Sequence, residues 1–338
     1  MTIFINGGAG FIGTNFVFNY LSQKDEDLIV FDKLTYAGNR KNFKPLEKDQ
    51  RFKFIKGDIT DQNKLTKEIF KHKPKSIINF AAETHVDNSI EKPGNFIKTN
   101  ILGTFSLLNV IKSYFETLKA EEKRNFIFLN ISTDEVFGSL KLSSMPSTEN
   151  SPFKPNSPYS ASKAAADHLV RSYFKSYNLP SITTHCSNNF GPYQNEEKFI
   201  PKIIKNSLNW EKIPIYGTGE NIRDWIFVKD HCNAIIKILE SGRAGESYNI
   251  GASNEVSNIS LAKLICSKLN KICPHYNGPY ELLISHVKDR PGHDVRYSID
   301  PSKLKSSLDW QTSESFDQSL HTTIEWYVKN LEVQKNYE

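Results

Sequence analysis

Short apolar runs alternate with longer stretches of helical spacing through the first half of the chain. Thr2 to Asn6 reads as a buried strand, and Phe11 to Leu21 carries apolar residues on one helical face. Leu28 to Phe31, ending at Asp32, then Phe52 to Ile55, Ser76 to Phe80, Asn125 to Ile131 and Ser181 to Cys186 repeat the strand signal. Helical spacing covers Gln62 to Phe70, about Phe96 to Phe115, and Tyr159 to about Tyr177. Strands alternating with helices predict an α/β fold: a Rossmann-type, doubly wound parallel sheet covered on both faces.

The rhythm breaks twice. Ser143 to Pro158 holds four prolines and five serines, which no regular element continues. From Gly191 the chain is interrupted by Pro192, Pro201, Pro214, Gly217 and Gly219, the pattern of a smaller mixed lobe of loops and short elements. Phe227 to Leu239, Leu261 to Leu269 and Phe316 to Tyr327 read as helices within or after it. The expected division is residues 1–187 for the Rossmann-type domain and 188–338 for a C-terminal substrate lobe, with about 221–240 returning to the core domain.

Composition narrows the functional classes. The 338 residues carry 43 Lys plus Arg against 38 Asp plus Glu, a formal charge of +5 spread without a basic block. That argues against a nucleic-acid binder. Cys186, Cys232, Cys266 and Cys273 form no CxxC pair or zinc spacing, and read as buried thiols of a reducing compartment. No basic leader with an apolar stretch and no apolar run of membrane-spanning length is present, so the expected location is cytoplasmic, away from membranes.

Gly7 to Gly13 names a cofactor class. Gly8, Gly10 and Gly13 form GxGxxG directly after a predicted strand and at the start of a helix. Gly8 is expected to permit the turn, Gly10 to admit a pyrophosphate, and Gly13 to allow close packing of helix on strand. Asp32 ends the next strand nineteen residues after Gly13, where its carboxylate accepts from ribose hydroxyls and repels a 2′-phosphate. NAD is thus favoured over NADP, with Arg40 and Lys41 close in sequence. Asp58 is a candidate for adenine, and Ala81 and Ala82 leave room for a dinucleotide across the strand ends.

Two clusters carry the chemistry. Tyr159 and Lys163 are four apart and share a helix face, so an ammonium supports a phenolate that takes a proton from an alcohol. Thr133-Asp134-Glu135 follows the fifth strand at the edge where open α/β sheets bind ligands; a helix cap is the bland alternative. Alcohol oxidation needs one base, whereas loss of water also needs a carbon base and an acid for the departing hydroxyl.

Together with Asp32-Lys33-Leu34-Thr35-Tyr36-Ala37-Gly38, Ala81-Ala82-Glu83-Thr84-His85-Val86-Asp87, Thr133 to Gly138, Asn188-Asn189-Phe190-Gly191-Pro192-Tyr193, Asn221 to Trp225 and Asp289-Arg290-Pro291-Gly292-His293-Asp294, these motifs resemble the dTDP-glucose 4,6-dehydratase family over nearly the whole chain. The resemblance implies that Asp134 protonates the leaving C6 hydroxyl, Glu135 removes the C5 proton, Thr133 hydrogen-bonds O4, and Lys163 also holds the nicotinamide ribose. It implies cofactor contacts at Phe11, Ile12, Lys33, Thr35 and Ile59, and nucleotide-sugar contacts at Thr84, Asn188, Lys198, Phe199, Pro214, Tyr216, Arg223, Asn258 and His293. It also implies tightly held NAD regenerated each cycle, and a homodimer joined through a four-helix bundle. The chain departs from the family pattern at Thr84, Asn88 and Phe190, where serine, arginine and tyrosine are usual. Nucleotide and sugar stay open among dTDP-glucose, UDP-glucose and a 2-acetamido sugar. A UDP-sugar 4-epimerase and a nonenzymatic dinucleotide-binding protein are the readings from other classes.

Overall fold

The computed structural model describes residues 1–335; positions 336–338 of the expected second lobe lie outside them. The first half supplies β1 (Thr2–Asn6), β2 (Asp27–Asp32), β3 (Phe52–Lys56), β4 (Ser76–Asn79), β5 (Ile127–Thr133) and β6 (Ser181–Cys186). The second half adds β7 (Asn188–Phe190), β8 (Ile213–Tyr216), β9 (Ile222–Phe227), β10 (Ser247–Ile250), β11 (Glu255–Ser257) and β12 (Ile284–Val287).

One seven-stranded sheet runs β10-β6-β5-β4-β1-β2-β3, every pair parallel. Alternate side chains serve its two faces. Ile3 and Ile5 join a core with Val17 and Val30, while Phe4 points the other way among Ile29, Ile77 and Leu107. The chain reverses direction across the sheet between β1 and β4, which opens a crevice at their carboxyl ends. In register, Asn6 pairs with Asn79 and Asn79 with Asn130. The glycine turn, Ala81-Ala82 and Thr133-Asp134-Glu135 therefore emerge along a single sheet edge.

The second half also builds two small sheets, β11-β9-β7 and β12-β8. Two of its segments lie on the large sheet. The helix Val228–Ser241 packs on Phe11–Leu21, where Asn19 Nδ2 donates to Asn233 Oδ1 at 2.9 Å. β10 completes the sheet edge beside β6, a contribution the sequence pattern did not announce.

Several elements differ from expectation. The long helix expected from Phe96 to Phe115 is a short turn, Pro93–Phe96, a π-helical segment, Ile97–Gly103, and an α-helix, Thr104–Thr117. Asn100 sits in the widened turn: its Oδ1 accepts from Glu83 N at 2.8 Å, and its Nδ2 donates to Glu83 O at 3.0 Å and Ser162 Oγ at 2.8 Å. These bonds compensate for the irregular ladder. β5 begins at Ile127 because Ala120–Asn125 forms a capped helix, with Glu122 accepting from Lys119 N at 2.8 Å. Phe199–Leu208 is helical despite Pro201, which occupies the first turn, where a missing N–H costs nothing.

Candidate active site

The positive φ of the glycine turn belongs to Gly7, at +72°, rather than to Gly8. A Cβ on Gly7 would lie 2.4 Å from Ala81 N, so the turn is pressed against the strand-end alanines. Gly8 packs on β2, where a Cβ would come within 2.9 Å of Val30; it does not reach the cleft wall. Gly13 lies against Gly8, with a Cβ contact of 2.6 Å, whereas at Gly10 the nearest atom is Gly7 O at 3.5 Å. Gly10 also heads Phe11–Leu21 without a side-chain cap, leaving the first amides of that helix free to face an anion. A pyrophosphate fits this cradle.

The cleft runs from here across the sheet edge, and its empty space, open mouth included, is about 1570 Å³. Gly10, Phe11, Ile12, Gly13, Asp32, Lys33, Thr35, Asp58, Ile59, Ala81 and Ala82 all line it. Asp32 accepts from Ala9 N at 2.9 Å and Leu34 N at 2.7 Å. Each of its oxygens keeps capacity for a hydroxyl donor. Burial raises its pKa, opposed by these two backbone bonds. Lys33 Nζ pairs with Asp58 at 2.8 Å. Arg40 lies over Phe54, 5.2 Å from the ring centre, and neither it nor Lys41 is on the wall.

The chemical groups occupy the middle of the cleft. Thr133 caps a short 3-10 turn, Asp134–Phe137, accepting from Glu135 N at 3.3 Å. The capping role is real, but it leaves the carboxyls free. Asp134 is 3% exposed, its Oδ1 accepts from Thr133 Oγ1 at 3.3 Å, and its buried Oδ2 has no partner. Burial raises its pKa well above the ordinary value, with the charges of Glu135 and Asp224 adding to the rise. Burial also raises Glu135, against the pull of Arg223, Arg290 and Lys198. Lys163 is buried and its Nζ donates to Ile131 O at 2.7 Å. Tyr159, edge-on to Phe96, is raised well above its usual value by burial, Glu135 and Cys186, while a hydrogen bond with Thr133 opposes the rise.

Of the expected sugar-nucleotide residues, Thr84, Thr133, Asn188 and Lys198 line the cleft, and Lys198 Nζ donates to Thr84 O at 3.1 Å across the two lobes. Six others stand off its wall. Arg223 lies over Tyr297, 4.4 Å from the ring centre, and donates to Ile222 O at 2.7 Å and Asp294 O at 3.0 Å. Tyr216 and His293 meet edge to face at 6.3 Å, and His293 bonds Asp289 Oδ1 at 2.7 Å. Phe199 stacks on Trp225, Pro214 pairs with Ser285 in the β8–β12 sheet, and Asn258 N donates to Asn221 O at 3.0 Å. Glu83, Thr99 and Glu197, for which the sequence pattern suggests no role, also line the cleft, as does the buried thiol of Cys186. Glu83 stood inside a run already noted; Thr99 depends on the π-helical segment, which leaves no periodic signal. Among the departures, Phe190 is fully buried against Phe227 and Phe316, so the missing hydroxyl belongs to the core rather than the cleft.

Residues 4–323 match the family model described as GDP-mannose 4,6 dehydratase, which sets the class of this site. Within that class, the chain is 48% identical over 330 residues to the dTDP-glucose 4,6-dehydratase of Xanthomonas campestris pv. campestris (strain B100), covering 97% of this chain and 93% of that one. Identity to the dTDP-glucose 4,6-dehydratase of Haemophilus influenzae is 46% over 333 residues, 98% of each. The crystal structure of the Streptomyces venezuelae dTDP-glucose 4,6-dehydratase, solved with NAD bound, matches with a TM-score of 0.89 at 39% identity over 98% of both chains. The chain belongs to the dTDP-glucose 4,6-dehydratase family.

Proposed function

We propose that this protein converts dTDP-glucose to dTDP-4-keto-6-deoxyglucose and water. The observation that carries this reading is the buried Asp134 beside Glu135, on the same wall as Tyr159 and Lys163. NAD, held at the sheet edge, would supply the hydride acceptor for C4 and the hydride donor for C6. Tyr159 removes the O4 proton, with Thr133 hydrogen-bonded to that oxygen and the Lys163 ammonium favouring the phenolate. The 4-ketone acidifies C5–H, and Glu135 takes that proton. Asp134, kept protonated by its burial, supplies the proton with which the C6 hydroxyl departs as water. Glu135 returns a proton to C5, and the O4 proton on Tyr159 balances the one given up by Asp134, so one water is lost and no net oxidation occurs. Gly10, Phe11, Ile12, Gly13, Asp32, Lys33, Thr35, Asp58, Ile59, Ala81, Ala82, Tyr159 and Lys163 would hold the cofactor. Thr84, Asn188 and Lys198 would meet the sugar nucleotide, and Arg223 acts on Glu135 through its charge.

The domain division at 187/188 is part of this reading, with residues 221–240 and also β10 assigned to the core domain. A homodimer is supported by apolar residues left exposed on the π-helical segment and the two helices Thr104–Thr117 and Pro158–Tyr177: Ile97 51%, Leu102 52%, Phe105 43% and Tyr177 49%. A cytoplasmic site of action belongs to the same proposal; no helix among the described residues is long and apolar enough to cross a membrane, and Cys186, Cys232 and Cys266 are buried thiols.

The test is the mass of the product after incubation with dTDP-glucose and, separately, UDP-glucose. Loss of one water from the dTDP sugar is expected. Unchanged mass with inverted C4 would establish epimerisation and overturn the reading, and loss of water from the UDP sugar alone would reassign the nucleotide.

A further inference from the structure

A second carboxylate lies buried behind the cleft wall. Asp167 stands four residues beyond Lys163 on the helix Pro158–Tyr177 and is 5% exposed. Its Oδ1 accepts from Asn130 Nδ2 at 3.0 Å; its Oδ2 accepts from Ser132 Oγ at 2.7 Å and faces His185 Nε2 at 3.3 Å. Asn130 is itself held, its Oδ1 accepting from Asn79 Nδ2 at 3.2 Å. Between Asn130 and Ser132, the carbonyl of Ile131 receives the Lys163 ammonium. Three consecutive residues of β5 thus grip Lys163 and Asp167, the cation by backbone and the anion by side chains.

The donors define the state of the acid. Asn130 presents an N–H, Ser132 an O–H and His185 a ring nitrogen, the surroundings of an acceptor-only carboxylate. A buried anion needs compensation, and Lys163, one turn away on the same helix face, supplies a charge that hydrogen bonds alone do not.

We propose that Asp167 is a positioning residue for the oxidation step: locked to β5 through Asn130 and Ser132, its carboxylate keeps Lys163 cationic and directed at the Tyr159 end of the cleft. This rests on the roles given above to Tyr159 and Lys163. Burial draws the Lys163 pKa down, while Asp167 and Cys186 draw it up. Two titratable groups of β6 face the pair: Cys186, which acts on Lys163, and His185, 3.3 Å from Asp167.

Asp167→Asn keeps the side-chain shape, and the Ser132 hydroxyl and the imidazole can each reverse from donor to acceptor, so chiefly the charge is lost. Single-turnover formation of bound NADH from dTDP-glucose should slow roughly tenfold at neutral pH, with KM changed less than about twofold. The alkaline limb of the pH–rate profile should move to lower pH, and Asp167→Glu should restore it. A lowered Tm with the limb unmoved would overturn the proposal. Stability supplies an arm that needs no turnover: Lys163→Met strands the Asp167 anion, so adding Asp167→Asn should raise Tm above that of Lys163→Met alone. A double variant that melts lower refutes the charge pairing. If the unsubstituted protein turns over no nucleotide sugar, the proposed function fails, and the melting comparison still decides the pairing.

Discussion

Gly10 and Gly13 stand three residues apart in one turn, yet a methyl group added at each should have opposite consequences. At Gly13 the new carbon would lie 2.6 Å from Gly8 Cα and 2.7 Å from Gly7 O, both backbone, so the turn itself must move. Overpacking of that kind costs about 1–3 kcal/mol of stability. At Gly10 the nearest atom is 3.5 Å away, and φ of −75° with ψ of 177° suits any residue. There, loss of a favourable capping residue offsets a gain of about 0.4–1 kcal/mol from a less flexible unfolded chain, and net stability stays within about 1 kcal/mol of the original. The Gly10 methyl instead occupies the space a pyrophosphate needs. If the Kd for NAD rises ~100-fold, NAD at 100 times the original Kd stabilises the unsubstituted protein by about 2.7 kcal/mol but Gly10→Ala by only about 0.4 kcal/mol. The assay is thermal or urea unfolding of nucleotide-stripped protein with and without NAD. The reasoning is refuted if Gly10→Ala keeps the full NAD-induced shift, or if it loses as much intrinsic stability as Gly13→Ala.

Tyr159→Phe should abolish the first hydride transfer, whereas Glu135→Gln should still accumulate bound NADH and a 4-keto sugar while failing to exchange C5–H for solvent deuterium; full exchange in Glu135→Gln would return that residue to a capping role. Asp134 retains its proton in the folded state to higher pH than in the unfolded chain, so stability falls as pH rises from the ordinary aspartate range toward the raised value. Asp134→Asn should make that slope shallower, the raised Glu135 and Asp32 keeping the rest, raise Tm relative to the original protein at neutral pH, and slow water loss by ~10² or more; melting curves across pH together with product mass check both. Phe105→Glu places a charge on the exposed helix face and should convert a dimer to a species of about one chain mass, 38.6 kDa, by light scattering; an original protein already at that mass removes the dimer reading.

Strand positions were legible because fully buried parallel strands show as uninterrupted apolar runs, and Ser181–Cys186 and Phe11–Leu21 fall where periodicity put them. The Thr133-Asp134-Glu135 and Tyr159/Lys163 clusters were legible because both stand at element ends, where the sheet topology forces them onto one edge. What stayed hidden depends on partners distant in sequence. The π-helical segment is anchored through Asn100 to residues 17 and 62 positions away. Asp167 reads as an ordinary helix acid until Asn130 and Ser132 are placed beside it. The second lobe was least legible: Arg223 and His293 spend donors on neighbouring protein groups, and a residue-type match carries no information about which way a side chain turns.

The last strand to join the large sheet sets an order of assembly. β10 pairs with β6 from Ser247↔Thr183 to Ile250↔Cys186, so the outer rim of β6 has no neighbour until residue 250 has left the ribosome. Until then the nascent chain presents Ser181–Cys186 as a bare edge, open to pairing with another molecule. Cys186, at the end of that strand, belongs to the cleft wall, so the chemistry of the first half is walled in only when the second half arrives. A polypeptide stopped at residue 187 would therefore be expected to aggregate rather than persist as a free-standing dinucleotide-binding unit.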